Sequence, residues 1–295
     1  MGEKNNCDRA CLEGLIDQTL EAMLAHEPDR LPMAKTVRYT ENAQQIVLGD
    51  GLWATVSANS HYRLYFADEK NGQAGFFGVI EDNGMPAILA LRLKVEHEEI
   101  CELEVIIERE GGLLFNPDGL TEPKPIMFEP LAPEERCSRE EMTDIIHSYF
   151  DGIEQGNGDI VPFDEQCNRT ENGTQTTNNT SFTRDPEEGY SVFGLNCGEQ
   201  LSTGFFSYIA EIRPRRILLI DEERGLVFGV FMFQHPGRTR KVTIRDVGEM
   251  ELPAFARLPF TLIAGELFKI KNKKIREVEA VMTKLPYRSK TGWED

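Results

Sequence analysis

The chain has 295 residues, with 32 Lys and Arg against 50 Asp and Glu, and a formal net charge of −18 at pH 7. That length accommodates two ordinary domains, each able to bury its own core. The negative field repels phosphate backbones and anionic lipid, which excludes nucleic acid and membrane as partners, and the dispersed acidic residues read as a soluble, self-repelling surface.

The polar start, Met1 to Arg9, lacks an apolar signal core, and no stretch reaches the length of a membrane span. Six cysteines (Cys7, Cys11, Cys101, Cys137, Cys167, Cys197) include no Cys-x-x-Cys pair and no matching histidines for zinc. The thiols are therefore expected to be reduced, Cys7 and Cys11 to share a helical face or a frayed terminus, and the protein to be cytoplasmic. Four glycosylation sequons, beginning at Asn168, Asn172, Asn178 and Asn179, cut against that compartment. Without a signal sequence they read as a polar Asn/Thr-rich loop.

Leu12, Leu15, Ile16 and Leu20, spaced by three and four, predict an amphipathic helix over 8–26. It ends at His26-Glu27-Pro28-Asp29, because proline excludes its predecessor from helical geometry. A turn at Leu31-Pro32 leads into an extended 39–48. Asn71-Gly72 signals a hairpin between strands 62–67 and 75–80. Asn83-Gly84 then turns into 87–95, and Glu98-Glu99 into 100–107, giving consecutive antiparallel strands. Residues 111–135, with Gly111-Gly112 and Pro117, Pro123, Pro125, Pro130 and Pro133, form a connector whose apolar residues predict that it lies against a domain. Ser138-x-x-Glu141 is a capping box for a second helix, which runs to about Gln155 and stops at Gly156-Asn157-Gly158.

The second half repeats the first. Thr40-Glu41-Asn42 recurs as Thr170-Glu171-Asn172 (170 − 40 = 130), and Leu31-Pro32 as Val161-Pro162 at the same offset. Helix positions Leu12, Leu15, Ile16 and Leu20 answer to Met142, Ile145, Ile146 and Phe150, again offset 130 (142 − 12). Phe77-Gly78-Val79 answers to Phe228-Gly229-Val230, offset 151 (228 − 77), and Ile100-x-Glu102-x-Glu104 to Ile275-x-Glu277-x-Glu279, offset 175 (275 − 100). The growing offset places insertions near 176–196 and 235–259 in the second copy, and the tail 285–295 has no counterpart. The period is too long for a stacked solenoid, so this is a duplicated domain. The expected organisation is a first unit at 1–110, a linker at 111–135 and a second unit at 136–295, of fold class α+β.

The opening helix, the Leu-Pro or Val-Pro turn, the strand carrying Val37-Arg38-Tyr39-Thr40-Glu41-Asn42 or Asn168-Arg169-Thr170-Glu171-Asn172, and the closing strands resemble the nuclear-transport-factor-two-like (SnoaL-like) superfamily, once per unit over nearly the whole chain. The resemblance implies two tandem cone-shaped α+β barrel units, each a curved antiparallel sheet packed round helices with a deep, mostly apolar pocket. It also implies that open sheet faces pair, either within the chain or in a homodimer. Within the superfamily, the tandem layout and the Thr-Glu-Asn strands resemble bacterial γ-formaldehyde lyases acting on lignin-derived aromatic dimers. That narrower likeness implies a cofactor-independent lyase that cleaves a C–C bond of a small aromatic substrate, releasing formaldehyde and a stilbene, with no metal. The fold also hosts isomerases, dehydratases and silent modules that bind small apolar ligands, and these are the alternatives.

Strand alternation over 167–175 puts Asn168, Thr170 and Asn172 on one face, and Arg169 and Glu171 on the other. A buried Arg–Glu pair can hold an acidic substrate group or tune a carboxylate for proton transfer; the plain alternative is a rim salt bridge. Unit one carries Arg38 and Tyr39 where unit two has Asn168 and Arg169, so these positions distinguish the two pockets. Unit two's insertions and tail are able to cover a pocket. His147, among apolar helix residues, is a candidate acid or base, or else a satisfied core group. His235 falls at a strand end near a barrel mouth, and His26, His61 and His97 read as solvated. Trp53, Tyr62, Tyr65, Phe66, Phe76 and Phe77 can stack on an aromatic substrate or form ordinary core. The candidate catalytic set is Tyr39, His147, Arg169 and Glu171; the candidate substrate-binding set is Glu41, Asn42, Trp53, Tyr62, Asn168 and Asn172. No Gly-x-Ser-x-Gly, phosphate loop or dinucleotide fingerprint occurs, which leaves acid–base chemistry in a pocket, or binding alone.

Overall fold

The computed structural model describes residues 7–183 and 190–294, apart from the side chains of residues 60 and 61. Residues 1–6 of the polar start, 184–189 of the first insertion and the His61 side chain lie outside the described residues.

Helix α1 (Arg9–Leu24) starts at Asp8, whose carboxylate accepts the Cys11 N–H at 2.9 Å, and buries Leu12, Leu15, Ile16 and Leu20. Cys7 and Cys11 are joined in a disulfide, their Cα atoms 5.2 Å apart. This corrects the expectation that all six thiols are reduced. Cys7 precedes the N-cap, and the chain turning into α1 at Asp8 brings its sulfur onto Cys11 in the first turn.

Then come β1 (Met33–Glu41), β2 (Gln44–Gln45), the single-turn α2 (Leu52–Thr55), β3 (Val56–Asp68), β4 (Gln73–Asp82), β5 (Met85–Glu96) and β6 (Glu99–Arg109). The sheet order is β2-β1-β6-β5-β4-β3. Strands β3 to β6 form the antiparallel meander read from the turns, and Asn83 and Gly84 both take positive φ (55° and 77°) between β4 and β5. Strand β1 departs from the meander. It pairs in parallel with β6, Thr40 opposite Glu104. No hairpin joins these two strands, so local turn chemistry does not dictate an antiparallel partner.

The second unit repeats the plan with α3 (Arg139–Gln155), β7 (Phe163–Glu171), β8 (Thr174–Gln175), the short α4 (Cys197–Leu201), β9 (Glu211–Asp221), β10 (Leu226–His235), a small hairpin of β11 (Lys241–Ile244) and β12 (Gly248–Glu251), then β13 (Phe260–Lys271) and β14 (Lys274–Leu285). Its order, β8-β7-β14-β13-β10-β9, is the same. The expected α+β architecture of two cone-shaped units is what the structure shows. Helix α1 packs into the first sheet against Leu89, Leu91 and Leu93, and α3 into the second against Phe231 and Phe268. The Ser138–Glu141 capping box opens α3, and Gly156 in left-handed conformation closes it.

The repeated Thr-Glu-Asn has a structural cause. Asn42 and Asn172 both take φ of 45°, which Asn tolerates better than most residues. Asn42 donates to the Ile107 carbonyl (3.1 Å) and accepts the Ile107 N–H (2.9 Å). Asn172 does the same with Met282 (2.8 and 2.9 Å). Each side chain prolongs the ladder past the end of its parallel strand pair.

The outer sheet faces cover each other. Phe66, Phe77 and Ile106 pack with Phe228, Val230 and Ile263, and the linker adds Leu120 and Met127. Polar contacts across this seam come in reciprocal pairs. Arg9 donates twice to Asp221 (2.7 and 3.0 Å), and its repeat mate Arg139 (139 − 9 = 130) donates twice to Asp68 (2.5 and 3.2 Å). Arg216 donates twice to Glu104 (2.7 and 3.2 Å), while the Tyr62 hydroxyl sits on both oxygens of Glu279, the mate of Glu104 (2.7 and 2.8 Å). The seam thus has a quasi-twofold character. The tail leaves β14 for unit one, which corrects the expectation that it covers the second pocket. Trp293 lies among the guanidinium groups of Arg38, Arg92 and Arg216, 5.0 to 5.2 Å from its ring centre. Among the described residues no helix is long and apolar enough to cross a membrane.

Candidate active site

Unit two encloses a cavity of about 410 Å³. Its floor is barrel: Tyr149 and Ile153 from α3, Arg169 and Glu171 from β7, Phe233 from β10, Leu262 and Glu266 from β13, Met282 from β14. Its cover comes from the segment between β8 and β9, through Tyr190 to Phe193 and Phe205 to Ile209, and from the second insertion, through Met250 to Phe255, while Leu113 and Leu114 of the linker complete the wall. Insertion residues thus cover the second unit's cavity. His235 ties the two halves of the cover together: its ring nitrogens meet the Tyr208 carbonyl (2.8 Å) and the Ala256 carbonyl (2.5 Å).

Arg169 and Glu171 alternate inward, as strand geometry requires. Arg169 is buried, and each of its three guanidinium nitrogens has a partner. It pairs with Glu171 (3.3 Å) and donates to the Thr176 hydroxyl (3.2 Å), the Tyr149 hydroxyl (3.4 Å) and the Gln200 side chain on α4. Burial works against its charge, but the neighbouring Glu171 carboxylate holds it protonated. Arg169 therefore fixes β7, α3 and α4 around the cavity, and Glu171 presents its carboxyl to the interior.

Glu266 is the group that sequence reading missed. It sits at the middle of β13 on the inward face, between Ala264 and Phe268, and is 4% exposed. Among the described residues its carboxyl has no hydrogen-bond or ion-pair partner. Burial, and after it the negative charge of Glu171, push it up to about 8, against an opposing pull from Arg169. At neutral pH Glu266 is thus a carboxylic acid, facing an apolar cavity. The signal was present in the run Phe260 to Lys271, where strand alternation sets a glutamate on the face of apolar Ala264 and Phe268. Two phenols line the same space. Burial raises Tyr149 and Tyr208 above the usual phenol range, so both stay protonated donors.

The remaining candidates lie elsewhere. His147 is on α3 but does not line the cavity; its backbone carbonyl accepts from Arg215 (3.2 Å). Its neighbour Tyr149 takes the inward position. Asn168 accepts from Asn178 (3.0 Å) at a partly exposed site, and Asn172 is the strand clamp described above. In unit one, Tyr39 is buried and donates to Glu41 (3.3 Å), while Glu41 accepts the Leu52 N–H (2.7 Å), which starts α2. Trp53 and Tyr39 fill that unit's core, Asn42 is its clamp, and Tyr62 belongs to the seam. Among the described residues no group of His, Cys, Asp or Glu is arranged to hold a metal ion.

Residues 135–282 match the family model described as Domain of unknown function (DUF8021), which is 148 of 295 residues (282 − 135 + 1), and the chain belongs to that family. No curated protein matches the chain. Solved structures similar to parts of it include a candidate polyketide cyclase from Silicibacter sp. TM1040 (17% identity, 49% of this chain and 90% of that one, TM-score 0.30). Two others are AclR, a candidate hydroxylase from Streptomyces galilaeus (9%, 50% and 83%, TM-score 0.31), and the BvnE pinacolase from Penicillium brevicompactum (13%, 52% and 88%, TM-score 0.26). None reaches the similarity at which an activity carries across.

Proposed function

We propose that this member of the DUF8021 family is an enzyme that performs acid–base chemistry on a small, uncharged aromatic molecule in the unit-two cavity. One observation carries the reading: Glu266 is a buried, unpartnered carboxyl, held protonated at neutral pH, in a cavity lined by aromatic rings. A buried acid without a partner costs stability, and a proton-transfer role explains its presence. In this reading the substrate lies among Phe205, Phe206, Phe233 and Tyr208. Glu266 protonates a substrate oxygen. The Glu171 carboxylate receives a proton, while Arg169 holds it in place and Tyr149 and Tyr208 donate hydrogen bonds to developing negative charge.

The narrower reading, release of formaldehyde from a lignin-derived aromatic dimer, draws on the resemblance of the Thr-Glu-Asn strands and fits the ring-lined cavity. There, Glu266 protonates the benzylic oxygen as it leaves and the para-phenol of the substrate gives up its proton, giving a quinone methide. Glu171 then takes the γ-hydroxyl proton, the Cβ–Cγ bond breaks, and its electrons form the Cα=Cβ double bond and return the ring to a phenolate, yielding formaldehyde and a stilbene.

The test is incubation of the protein with a panel of diarylpropane and phenylcoumaran dimers and of smaller aromatic ketones and alcohols, with products followed by mass. Loss of formaldehyde supports the narrower reading; loss of water, or an isomer of unchanged mass, supports acid–base chemistry of another kind. Recovery of every compound unchanged, with one bound equally by Glu266→Gln and the native protein, makes the cavity a binding site without turnover.

A further inference from the structure

Cys167 and Cys197 are separated by 30 positions (197 − 167) but meet in the interior of unit two. Cys167 is on β7, two residues before Arg169; Cys197 is the first residue of α4, in the segment between β8 and β9. They are 1% and 2% exposed, and their Sγ atoms lie 3.0 Å apart, about 1 Å beyond bonding length. Cys7 and Cys11 are already bonded to each other, and Cys101 and Cys137 are free.

The place of this pair in the fold gives it a task. Helix α4 carries Gln200, which accepts from Arg169 and donates to the Thr176 carbonyl (2.6 Å) and to the Val192 carbonyl (3.0 Å), and Val192 lines the cavity. The Cys197 thiol also donates to the Cys167 carbonyl (3.3 Å). The sulfurs therefore lie where the cover of the cavity joins the barrel wall.

We propose that Cys167 and Cys197 form a second disulfide, which fastens α4 to β7 and holds the cover closed over the cavity. The oxidant is a small disulfide such as oxidised glutathione, which reaches the buried sulfurs while the cover is open. One cysteine thiolate attacks a sulfur of that disulfide, breaks its S–S bond and expels one thiolate. The second cysteine thiolate then attacks the protein sulfur of the mixed disulfide and expels the other. Two protein thiols lose two protons and two electrons, and one small disulfide becomes two thiols. The hydrogen bond shared with Cys167, aided by the charge of Arg169, outweighs burial and pulls the Cys197 thiol below its usual range, which favours it as attacking group.

The experiment equilibrates the purified full chain with oxidised and reduced glutathione, unfolds it without reductant, alkylates free thiols and maps the peptides by mass. The expected result is a cross-linked peptide pair holding Cys167 and Cys197, with alkylation confined to Cys101 and Cys137. Alkylation of Cys167 and Cys197 in protein whose Cys7–Cys11 bond is intact overturns the proposal, as does glutathione left on either residue. A second measurement on the oxidised native chain uses limited proteolysis. A mild reductant that opens the Cys167–Cys197 bond is expected to hasten cleavage within the cover several-fold, and Cys197→Ser to behave as the reduced protein does. If cleavage is equally fast with the bond closed and open, the bond does not hold the cover and the proposed role is lost.

Discussion

One strand position holds Leu89 in the first unit and Glu266 in the second. The correspondence is fixed by the sheets: Leu89 lies opposite Gly78 and Glu266 opposite Gly229, the two glycines of the repeated Phe-Gly-Val. Around Leu89 the interior is closed by Trp53 and Tyr39. Around Glu266 it is open, with Arg169 in the place of Tyr39 and Tyr149 in the place of Thr19 (149 − 130). One scaffold thus supports a packed core and a cavity with a held proton, and the difference lies in a few inward positions plus two insertions that help supply the cover.

The most severe way to break this contrast is Glu266→Gln. On a compound from the panel that turns over, it is expected to lower kcat by roughly 10²–10⁴-fold, the usual worth of a positioned acid or base, with binding retained by calorimetry. Leu89→Ala is expected to leave kcat per folded molecule unchanged and to cost about 2–5 kcal/mol of stability in denaturant titration. An effect of Leu89→Ala on kcat as large as that of Glu266→Gln would erase the division of labour.

Next is the pair at the neighbouring strand. Arg169→Met leaves Glu171 unpaired beside the cavity and frees Gln200, so a loss of about 3–5 kcal/mol is expected. Tyr39→Phe removes only one long hydrogen bond to Glu41, and a loss of about 0.5–1.5 kcal/mol is expected. Equal losses would mean that the two positions do the same work. The clamps should behave alike: Asn42→Ala and Asn172→Ala are each expected to cost about 1–3 kcal/mol.

The smallest effect is a slope with pH. Burial raises Glu266 to about 8 and Glu279 to about 7, the latter against the hydrogen bond from Tyr62. Between the ordinary carboxylate range and those values the native state keeps protons that the unfolded chain has released. The stability these groups contribute is present at low pH and is lost as pH rises through the folded values. Melting temperature is therefore expected to fall across that window. Glu266→Gln should flatten the slope over the whole window up to about 8, and Glu279→Gln only the part below about 7. For the same reason kcat is expected to decline as pH rises past about 8, where Glu266 no longer carries its proton. A kcat that holds steady through that value removes Glu266 from the role of acid.

Much of the scaffold was legible in the chain. The helix faces, the hairpin turns at Asn71-Gly72 and Asn83-Gly84, the repeat offsets and the inward direction of Arg169 and Glu171 all follow from local periodicity. Legibility failed where residues distant in sequence converge. The parallel pairing of β1 with β6 has no local signal, and the cover of the cavity is assembled from loops around 190, 206 and 253. His147 drew notice as a titratable residue, but helical geometry turns Tyr149 inward instead. Glu266 hid in the opposite way, as one charged letter in an apolar strand. The four sequons include Asn172, whose side chain is wholly engaged inside the fold.

The seam between the sheets has a consequence for how the halves can change. Two separate chains that paired through such a face would dissociate on dilution, and every substitution would appear in both pockets at once. Joined by one linker, the partners face each other at a fixed and high local concentration, whatever the amount of protein present. Each half is also free to mutate alone. Trp53 can plug one interior while the other stays hollow, and the plugged half becomes a permanent buttress for its twin.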